Sequence, residues 1–217
     1  MFNEFRPTKP SCGKLNYLLT TPTGFDPAKE SLPMIIFLHG AGERGDDIKR
    51  ILGPRSVPRY FNTDPDFKGL RVITLSPQCP DGMIWNELIT SVKELADTII
   101  EKYNVDKTKV SVTGLSMGGF GTWSFITRYP DFVFRAAPIC GGGVSWCADR
   151  LLNIPIRTFH GTADDSVPIR YTMEMADTIR SLGGTNCTAT YLPGVGHDSW
   201  IYAYEQTDLI EWLAGKN

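Results

Sequence analysis

The sequence predicts an α/β fold, in which a mostly parallel central sheet carries helices on both faces. Short apolar, β-rich segments alternate along the chain with longer amphipathic segments, and this alternation is typical of a parallel sheet covered by helices. No internal repeat or low-complexity linker interrupts it. A chain of 217 residues can bury a substantial core within one domain, so we expect a single domain over 1–217.

Each predicted element follows from a local pattern. Seven apolar, β-rich segments are expected to form strands, namely 15–20, 34–38, 71–75, 109–113, 136–139, 156–159 and 188–192. Four segments are expected to form helices, namely 87–103, 117–128, 169–182 and 200–213. In the first of these helices the apolar residues recur at helical spacing and would bury one face. The third is expected to stop at Gly183 and Gly184.

Composition and charge exclude several classes of function. The net charge of -2 and the dispersed Lys and Arg residues provide no basic surface for nucleic acid. No apolar run reaches the roughly 18 residues that a membrane span needs, and the N-terminus lacks a signal-peptide pattern. We therefore expect a cytoplasmic protein, or a secreted one if a signal sequence has been removed. An odd number of irregularly spaced cysteines favours reduced thiols over a disulfide framework or a zinc site; they are Cys12, Cys79, Cys140, Cys147 and Cys187.

Ser116 lies in the segment Gly114-Leu115-Ser116-Met117-Gly118, between a predicted strand and a predicted helix. Small residues on both sides of a serine allow the sharp turn that exposes its hydroxyl as a nucleophile. The five-residue pattern is short enough to occur by chance, so its place between strand and helix carries the inference. The sequence predicts a nucleophilic serine at position 116.

A nucleophilic serine needs a histidine base, and the chain has three histidines. His197 lies in a glycine-rich loop after the last predicted strand, where a base has room to approach the serine. His39 and His160 follow apolar strands directly and precede glycines, which suggests packing and hydrogen bonding at the base of a loop. The alternative role of His197 is to cap the following helix. We predict that His197 is the base.

The base needs a carboxylate that orients its ring, and the segment 160–168 offers both Asp164 and Asp165. Nucleophile, acid and histidine in that chain order are typical of one hydrolase fold, and either aspartate satisfies the order. One of the two could instead cap a helix that begins near Pro168. We assign the catalytic role to Asp164 and a solvent-facing or turn-forming role to Asp165.

A developing negative charge on a substrate carbonyl oxygen needs preorganised N–H donors. The backbone N–H of Met117, directly after the serine, is the first expected donor. The second is expected in the glycine-rich loop 39–45, with Ala41 preferred and Gly42 next. A phosphate-binding loop is the alternative there, but the segment lacks the Gly-Lys-Ser/Thr ending and the G-x-G-x-x-G spacing.

Four further side chains near these segments have two possible roles each. Glu43 and Arg44 are expected to form a solvated charged turn, with a substrate clamp as the less favoured alternative. Trp85 and Trp200 are candidates for the walls of a substrate pocket, although an isolated tryptophan is at least as often part of the core.

Six motifs along nearly the whole chain resemble the α/β-hydrolase superfamily: HGAGERG, SPQCP, VTGLSMGGFGTW, APICGGG, HGTADDSVP and GVGHDSW. The chain is most similar to serine esterases of the phospholipase/carboxylesterase, polyhydroxybutyrate-depolymerase-like and predicted-peptidase groups. The resemblance implies a triad of Ser116, Asp164 and His197, an oxyanion hole from Ala41 and Met117, and no metal or organic cofactor. Dienelactone hydrolases carry a cysteine at the position of Ser116, so that subgroup is disfavoured. Prolyl oligopeptidases add a large propeller domain that 217 residues cannot contain, so similarity to them is distant.

These inferences predict a serine carboxylic-ester hydrolase that works through an acyl-enzyme. The expected substrate is a small-molecule or polymer-borne ester. Peptide or amide hydrolysis and acyl transfer are alternatives within the same fold, and a non-enzymatic binding module is an alternative from another class. The sequence gives neither the acyl chain length nor the oligomeric state.

Overall fold

The computed structural model describes residues 1–8 and 14–216. Eight strands occur in these residues: β1 (Phe2–Phe5), β2 (Leu15–Thr20), β3 (Leu32–Leu38), β4 (Ile73–Pro77), β5 (Val105–Leu115), β6 (Arg135–Ile139), β7 (Ile156–Gly161) and β8 (Cys187–Leu192). They form one sheet in the order β1-β2-β4-β3-β5-β6-β7-β8. β1 pairs with β2, and β2 with β4, in antiparallel fashion. The other neighbours are parallel, which confirms the predicted mostly parallel sheet.

All seven predicted strands are present, and β1 is the strand that the sequence did not predict. β1 has four residues and contributes no fully buried side chain, with Phe2 exposed. An edge strand pairs on one side, so its sequence needs no continuous apolar run.

Six α-helices accompany the strands: α1 (Val57–Thr63), α2 (Trp85–Lys102), α3 (Met117–Arg128), α4 (Arg170–Ser181), α5 (Trp200–Glu205) and α6 (Leu209–Leu213). The helix predicted over 200–213 is therefore two helices. The Thr207 hydroxyl donates to the Ala203 carbonyl oxygen and accepts the Leu209 N–H, at 2.6 and 3.1 Å. This local side-chain bonding competes with the helical ladder and separates the two helices. Helix α1 was not predicted from the sequence.

Strand β3 shows how the sheet is covered on both faces. Its residues Met34, Ile36 and Leu38 pack in one core cluster with the apolar face of α2. The intervening residues Ile35 and Phe37 pack in a second cluster with α5 and α6. Because successive side chains of a strand point to opposite faces, one apolar run supplies both clusters, and each such buried side chain contributes about 1.5–3 kcal/mol.

The parallel register brings several loops to one edge of the sheet. Leu38 lies opposite Gly114 in the pair β3 and β5, so the loop after β3 begins beside the turn after β5. Gly161 lies opposite Leu192 in the pair β7 and β8, so the loops after those strands also begin together. Ligands of such sheets bind at the carboxyl ends of the strands, where these loops meet.

Two further sequence expectations concern membrane spans and cysteines. Among the described residues, every helix is too short or too polar to serve as a membrane-spanning segment. Cys140, Cys147 and Cys187 carry free thiols, and Cys12 lies outside the described residues.

Candidate active site

Ser116 occupies a strained turn between β5 and α3. Its backbone has φ 55° and ψ -119°, a conformation that costs a non-glycine residue about 1–3 kcal/mol. A Cβ atom on Gly114 would lie 2.5 Å from the Gly118 carbonyl oxygen, and one on Gly118 would lie 1.8 Å from the Leu38 carbonyl oxygen. Both positions exclude any side chain. The Ser116 N–H donates to the Ile139 carbonyl oxygen at 3.0 Å, which fixes the turn against β6.

The structure brings Ser116, His197 and Asp164 together in one hydrogen-bonded chain, although they are far apart in sequence. Ser116 Oγ lies 2.8 Å from His197 Nε2. His197 Nδ1 lies 2.8 Å from Asp164 Oδ2. Because an ionised carboxylate can only accept, Nδ1 carries the ring proton and Nε2 is the acceptor that faces the serine hydroxyl.

The backbone around Asp164 favours its ionised form. Burial acts to raise the pKa of this carboxyl group, but the Val167 N–H and the bond to His197 outweigh it, so that the pKa is below its usual value. The N–H groups of Ser166 and Val167 donate to Oδ1 at 3.0 and 2.8 Å. Asp165 is exposed, and its carboxylate accepts a bond from the adjacent Ser166 hydroxyl at 3.4 Å. Of the two aspartates that the sequence offered, Asp164 is the one beside His197.

His39 holds the loop that follows β3. Its Nε2 accepts the Cys79 N–H at 2.9 Å, so the ring proton is on Nδ1, which donates to the Gly40 carbonyl oxygen at 2.6 Å. Burial lowers the pKa of His39 to about 4, and the ring is neutral at pH 7. Trp85 is fully buried, and its indole N–H donates to the His39 carbonyl oxygen at 2.8 Å. Trp85 is therefore a core residue that supports this loop, and it is not a wall of an open pocket.

The two predicted oxyanion donors are both the first residues of helices. Ala41 begins the 3-10 helix Ala41–Glu43, and Met117 begins α3. The N–H of a first helical residue has no intrahelical acceptor, so it is available to a ligand. Arg44 and Arg50 donate to the carbonyl oxygens of Ala41 and Gly42, at 3.1 and 3.0 Å. Both arginines therefore hold the loop in place through its carbonyl oxygens. The sequence predicted a solvated Arg44 and did not predict these bonds.

Two cavities flank the turn that carries Ser116. A cavity of about 150 Å³ is lined by Gly40, Leu115 and Trp200 together with the half-buried Glu43, whose pKa is raised by burial. The Trp200 ring also packs edge-on against His197, with centroids 5.5 Å apart. Trp200, a candidate pocket wall in the sequence, thus lies beside His197, while Glu43 is more buried than the predicted solvated turn.

The second cavity lies on the other side, beside Met117. It measures about 450 Å³ and is mostly apolar, with Ile84, Asn86 and Phe120 as the remaining lining residues. Phe120 is supported by an edge-on contact with Tyr171, with ring centroids 5.8 Å apart. Met117 and Phe120 belong to the motif VTGLSMGGFGTW, but the sequence did not predict the cavity, because Ile84 and Asn86 come from a second segment that only the fold brings beside that motif.

One group of the described residues, Cys140, Asp164 and His197, places three possible metal-ligating atoms within 4.8 Å of one another. A metal would need the Cys140 thiolate, but burial raises the pKa of this thiol to about 12. The Asp164 and His197 atoms already face each other in a hydrogen bond. The donor set therefore suits an acid–base pair better than a metal ion.

Comparison with known proteins identifies relatives over part or all of the chain. No protein-family model matches it. A poly(3-hydroxyalkanoate) depolymerase from Paucimonas lemoignei is 42% identical over 52 residues, which are 24% of this chain and 13% of that protein. A bifunctional acetylxylan esterase/xylanase from Neocallimastix patriciarum is 31% identical over 74 residues, which are 34% of this chain and 11% of that protein. The chain thus spans a small part of either relative.

Solved structures match the whole fold. The crystal structure of a thermostable esterase is 32% identical with a TM-score of 0.84, over 98% of this chain and 62% of that one. Feruloyl esterases and peptidases that are 13–16% identical share the same fold, with TM-scores of 0.71–0.79. These similarities confirm the predicted α/β-hydrolase fold.

Proposed function

We propose that the chain is a serine hydrolase of carboxylic esters that works through an acyl-enzyme. The observation that carries the proposal is the chain of two 2.8 Å hydrogen bonds from Asp164 through His197 to Ser116, with the serine on a strained turn. A buried carboxylate, an oriented imidazole and a serine hydroxyl are together the groups that nucleophilic acyl transfer needs. The similarity to proteins named as esterases supports the same chemistry.

The proposed reaction begins with attack of Ser116 Oγ on the ester carbonyl carbon, while His197 Nε2 takes the hydroxyl proton. Asp164 stabilises the imidazolium that forms, and the imidazolium then gives its proton to the departing alcohol. Water attacks the acyl-enzyme with help from the same base. The acid is released, and Ser116 regains its proton.

The negative charge on the carbonyl oxygen would be met by the N–H groups of Met117 and Ala41. Met117 begins the 12-residue helix α3, whose dipole also favours an anion there, and the Ala41 N–H begins a short 3-10 turn. The neutral His39 supports this assignment, because its ring fixes the loop of Ala41 without adding a charge that titrates near pH 7.

The two cavities suggest where the parts of an ester bind. The larger cavity beside Met117 is apolar and open, so it suits a hydrophobic or aromatic group. The smaller one beside Gly40 and Trp200 suits a short group. We propose small or accessible esters as substrates, including esters borne on polymers such as those in the names of the two sequence relatives.

The test is hydrolysis of p-nitrophenyl acetate, butyrate and octanoate by the purified protein. We expect Ser116→Ala to lower kcat by about 10³-fold or more. Ser181→Ala, which changes an exposed serine at the end of α4, is the matched control and should retain full activity.

Two further measurements separate the alternatives. A fluorophosphonate probe should label Ser116 in the folded protein, as located by mass spectrometry of peptides. Retention of activity in Ser116→Ala, or absence of labelling in the wild-type protein, would contradict the proposal. Faster cleavage of an amide than of the matching ester would favour a peptidase of the same fold.

A further inference from the structure

His160 is a fully buried histidine that the proposed reaction does not use. It lies near the end of β7, and both its ring nitrogens have partners. Nε2 is 2.8 Å from the Val167 carbonyl oxygen and 3.2 Å from Asp164 Oδ2. Nδ1 is 2.7 Å from the Thr172 hydroxyl oxygen. A second imidazole therefore lies against the same carboxylate oxygen that faces His197.

The partners of His160 determine where its proton lies. A backbone carbonyl oxygen can only accept, so Nε2 carries a proton and donates it to Val167, while the same nitrogen lies 3.2 Å from the ionised Asp164 Oδ2. Burial lowers the pKa of His160, which favours the neutral ring with Nδ1 as an acceptor. The Thr172 Oγ1 lies 2.7 Å from both Nδ1 and the Gly141 carbonyl oxygen, two acceptors that compete for its single proton, and it contacts the ring from the far side.

The result is a carboxylate with three hydrogen-bonded N–H groups and a fourth, that of His160, 3.2 Å away. Oδ1 of Asp164 accepts two backbone N–H groups, and Oδ2 faces the N–H groups of His160 and His197. The His160 N–H adds a second favourable electrostatic contact to Oδ2, which opposes rotation of the carboxylate. Without the His160 ring, Oδ2 keeps the His197 N–H as its one contact with an N–H group among the described residues, and rotation of the carboxylate would be opposed less.

We propose that His160 is a positioning residue, which holds Asp164 Oδ2 in the orientation that His197 requires. The inference rests on the proposed function. His160 acts through Asp164 and makes no contact with the proposed nucleophile. Its effect should therefore appear in kcat, because the orientation of the base matters most during proton transfer, and should leave KM nearly unchanged.

Two pairs of variants test this role. His160→Phe keeps a ring but removes both nitrogens, and we expect kcat to fall about 10-fold or more while KM changes less than twofold. His160→Gln keeps an N–H donor on a side chain of similar reach and should recover most of that loss. Because a buried substitution at His160 can prevent folding, Thr172→Val and Thr172→Ser form the second pair. Loss of the hydroxyl should lower kcat several-fold, and serine should restore it.

A spectroscopic measurement separates positioning from mere stabilisation of the fold. The chain has three histidines, so ¹⁵N-histidine labelling gives a simple spectrum. We expect the proton shared by His197 Nδ1 and Asp164 to resonate far downfield in the wild-type protein and in Thr172→Ser. In Thr172→Val this resonance should shift or broaden, while the melting temperature and circular dichroism show a folded protein.

Several outcomes would overturn the inference. A folded His160→Phe variant with wild-type kcat would do so, as would identical kcat values and His197 resonances in Thr172→Val and Thr172→Ser. Equal losses in His160→Gln and His160→Phe, with both variants folded, would show that the N–H donor is irrelevant. The resonance is measured without substrate, so failure of the proposed ester hydrolysis and failure of this inference give different results.

Discussion

The nucleophile and its acid–base partners are held in place by different forces. Ser116 is fixed by steric exclusion, because the backbone on either side of it packs where a Cβ atom of residues 114 and 118 would lie. Asp164 and His197 are fixed by hydrogen bonds, one between their side chains and one from the Val167 N–H within the acid loop. The comparison shows that one half of the site is determined by residues next to it in sequence, and the other half by long-range contacts.

The acid loop and the histidine loop hold each other mainly through their backbones. The Thr162 N–H donates to the Leu192 carbonyl oxygen at 3.0 Å, and the Ala163 N–H donates to the Val195 carbonyl oxygen at 2.9 Å. Gly161 allows this approach, because a Cβ atom there would lie 2.2 Å from the Val195 carbonyl oxygen. Close backbone approach at Gly161 therefore adds steric exclusion to the hydrogen bonds that join these loops.

Substitution in the turn around Ser116, which is fixed by steric exclusion, should have the largest effect on stability and activity. In Gly118→Ala the new Cβ atom would lie 1.8 Å from the Leu38 carbonyl oxygen, so β3 and α3 would have to move apart. We expect a loss of at least about 3 kcal/mol in the free energy of unfolding, or failure to fold, together with loss of esterase activity. Chemical denaturation monitored by circular dichroism measures the change.

Gly42→Ala is the matched control for stability. No atom lies within 4 Å of a Cβ at position 42, and the backbone there is not left-handed. The free energy of unfolding should stay within about 0.5–1 kcal/mol of the wild-type value. A stable Gly118→Ala protein with normal kcat would show that the turn is not fixed by exclusion.

The acid should come next in the size of its effect on activity. Asp164→Asn keeps the shape of the side chain but removes the charge, and its amide can face His197 as a donor, which favours the wrong tautomer of the ring. We expect kcat to fall by about 10³-fold or more. Asp165→Asn, at an exposed position, should stay within about twofold of wild type. Equal losses of kcat in the two variants would show that the 2.8 Å contact between Asp164 and His197 does not make Asp164 the catalytic acid.

The Ser116 turn could be predicted from the sequence more fully than the Asp164–His197 pair. The turn at Ser116 could be predicted because its steric demand leaves glycines at fixed spacing. The choice between Asp164 and Asp165 was uncertain from neighbouring residues, because it depends on which carboxylate the loop turns toward a histidine 33 residues away. The solvated turn predicted for Glu43 also differs from its half-buried position in the structure, since its burial arises from packing against residues of other segments.

Cys140 lies close to both the Ser116 turn and the Asp164–His197 pair, and its substitution should have the smallest effect on kcat. Its Sγ lies 3.2 Å from the Ser116 nitrogen and within 4.8 Å of the facing atoms of Asp164 and His197. The Ser116 N–H also donates to Ile139, so Cys140→Ala removes a weak second acceptor and should lower kcat by about threefold, less than 1 kcal/mol. Cys140→Ser restores an acceptor and should recover part of the loss.

Burial raises the pKa of the Cys140 thiol to about 12, so iodoacetamide at pH 8 should leave Cys140 unmodified in the folded protein, as measured by peptide mass spectrometry. Rapid alkylation of Cys140 with loss of activity would show that the packing between Cys140 and the Ser116 backbone opens to solvent. Ser116 would then be held less rigidly than the close packing of Gly114 and Gly118 indicates.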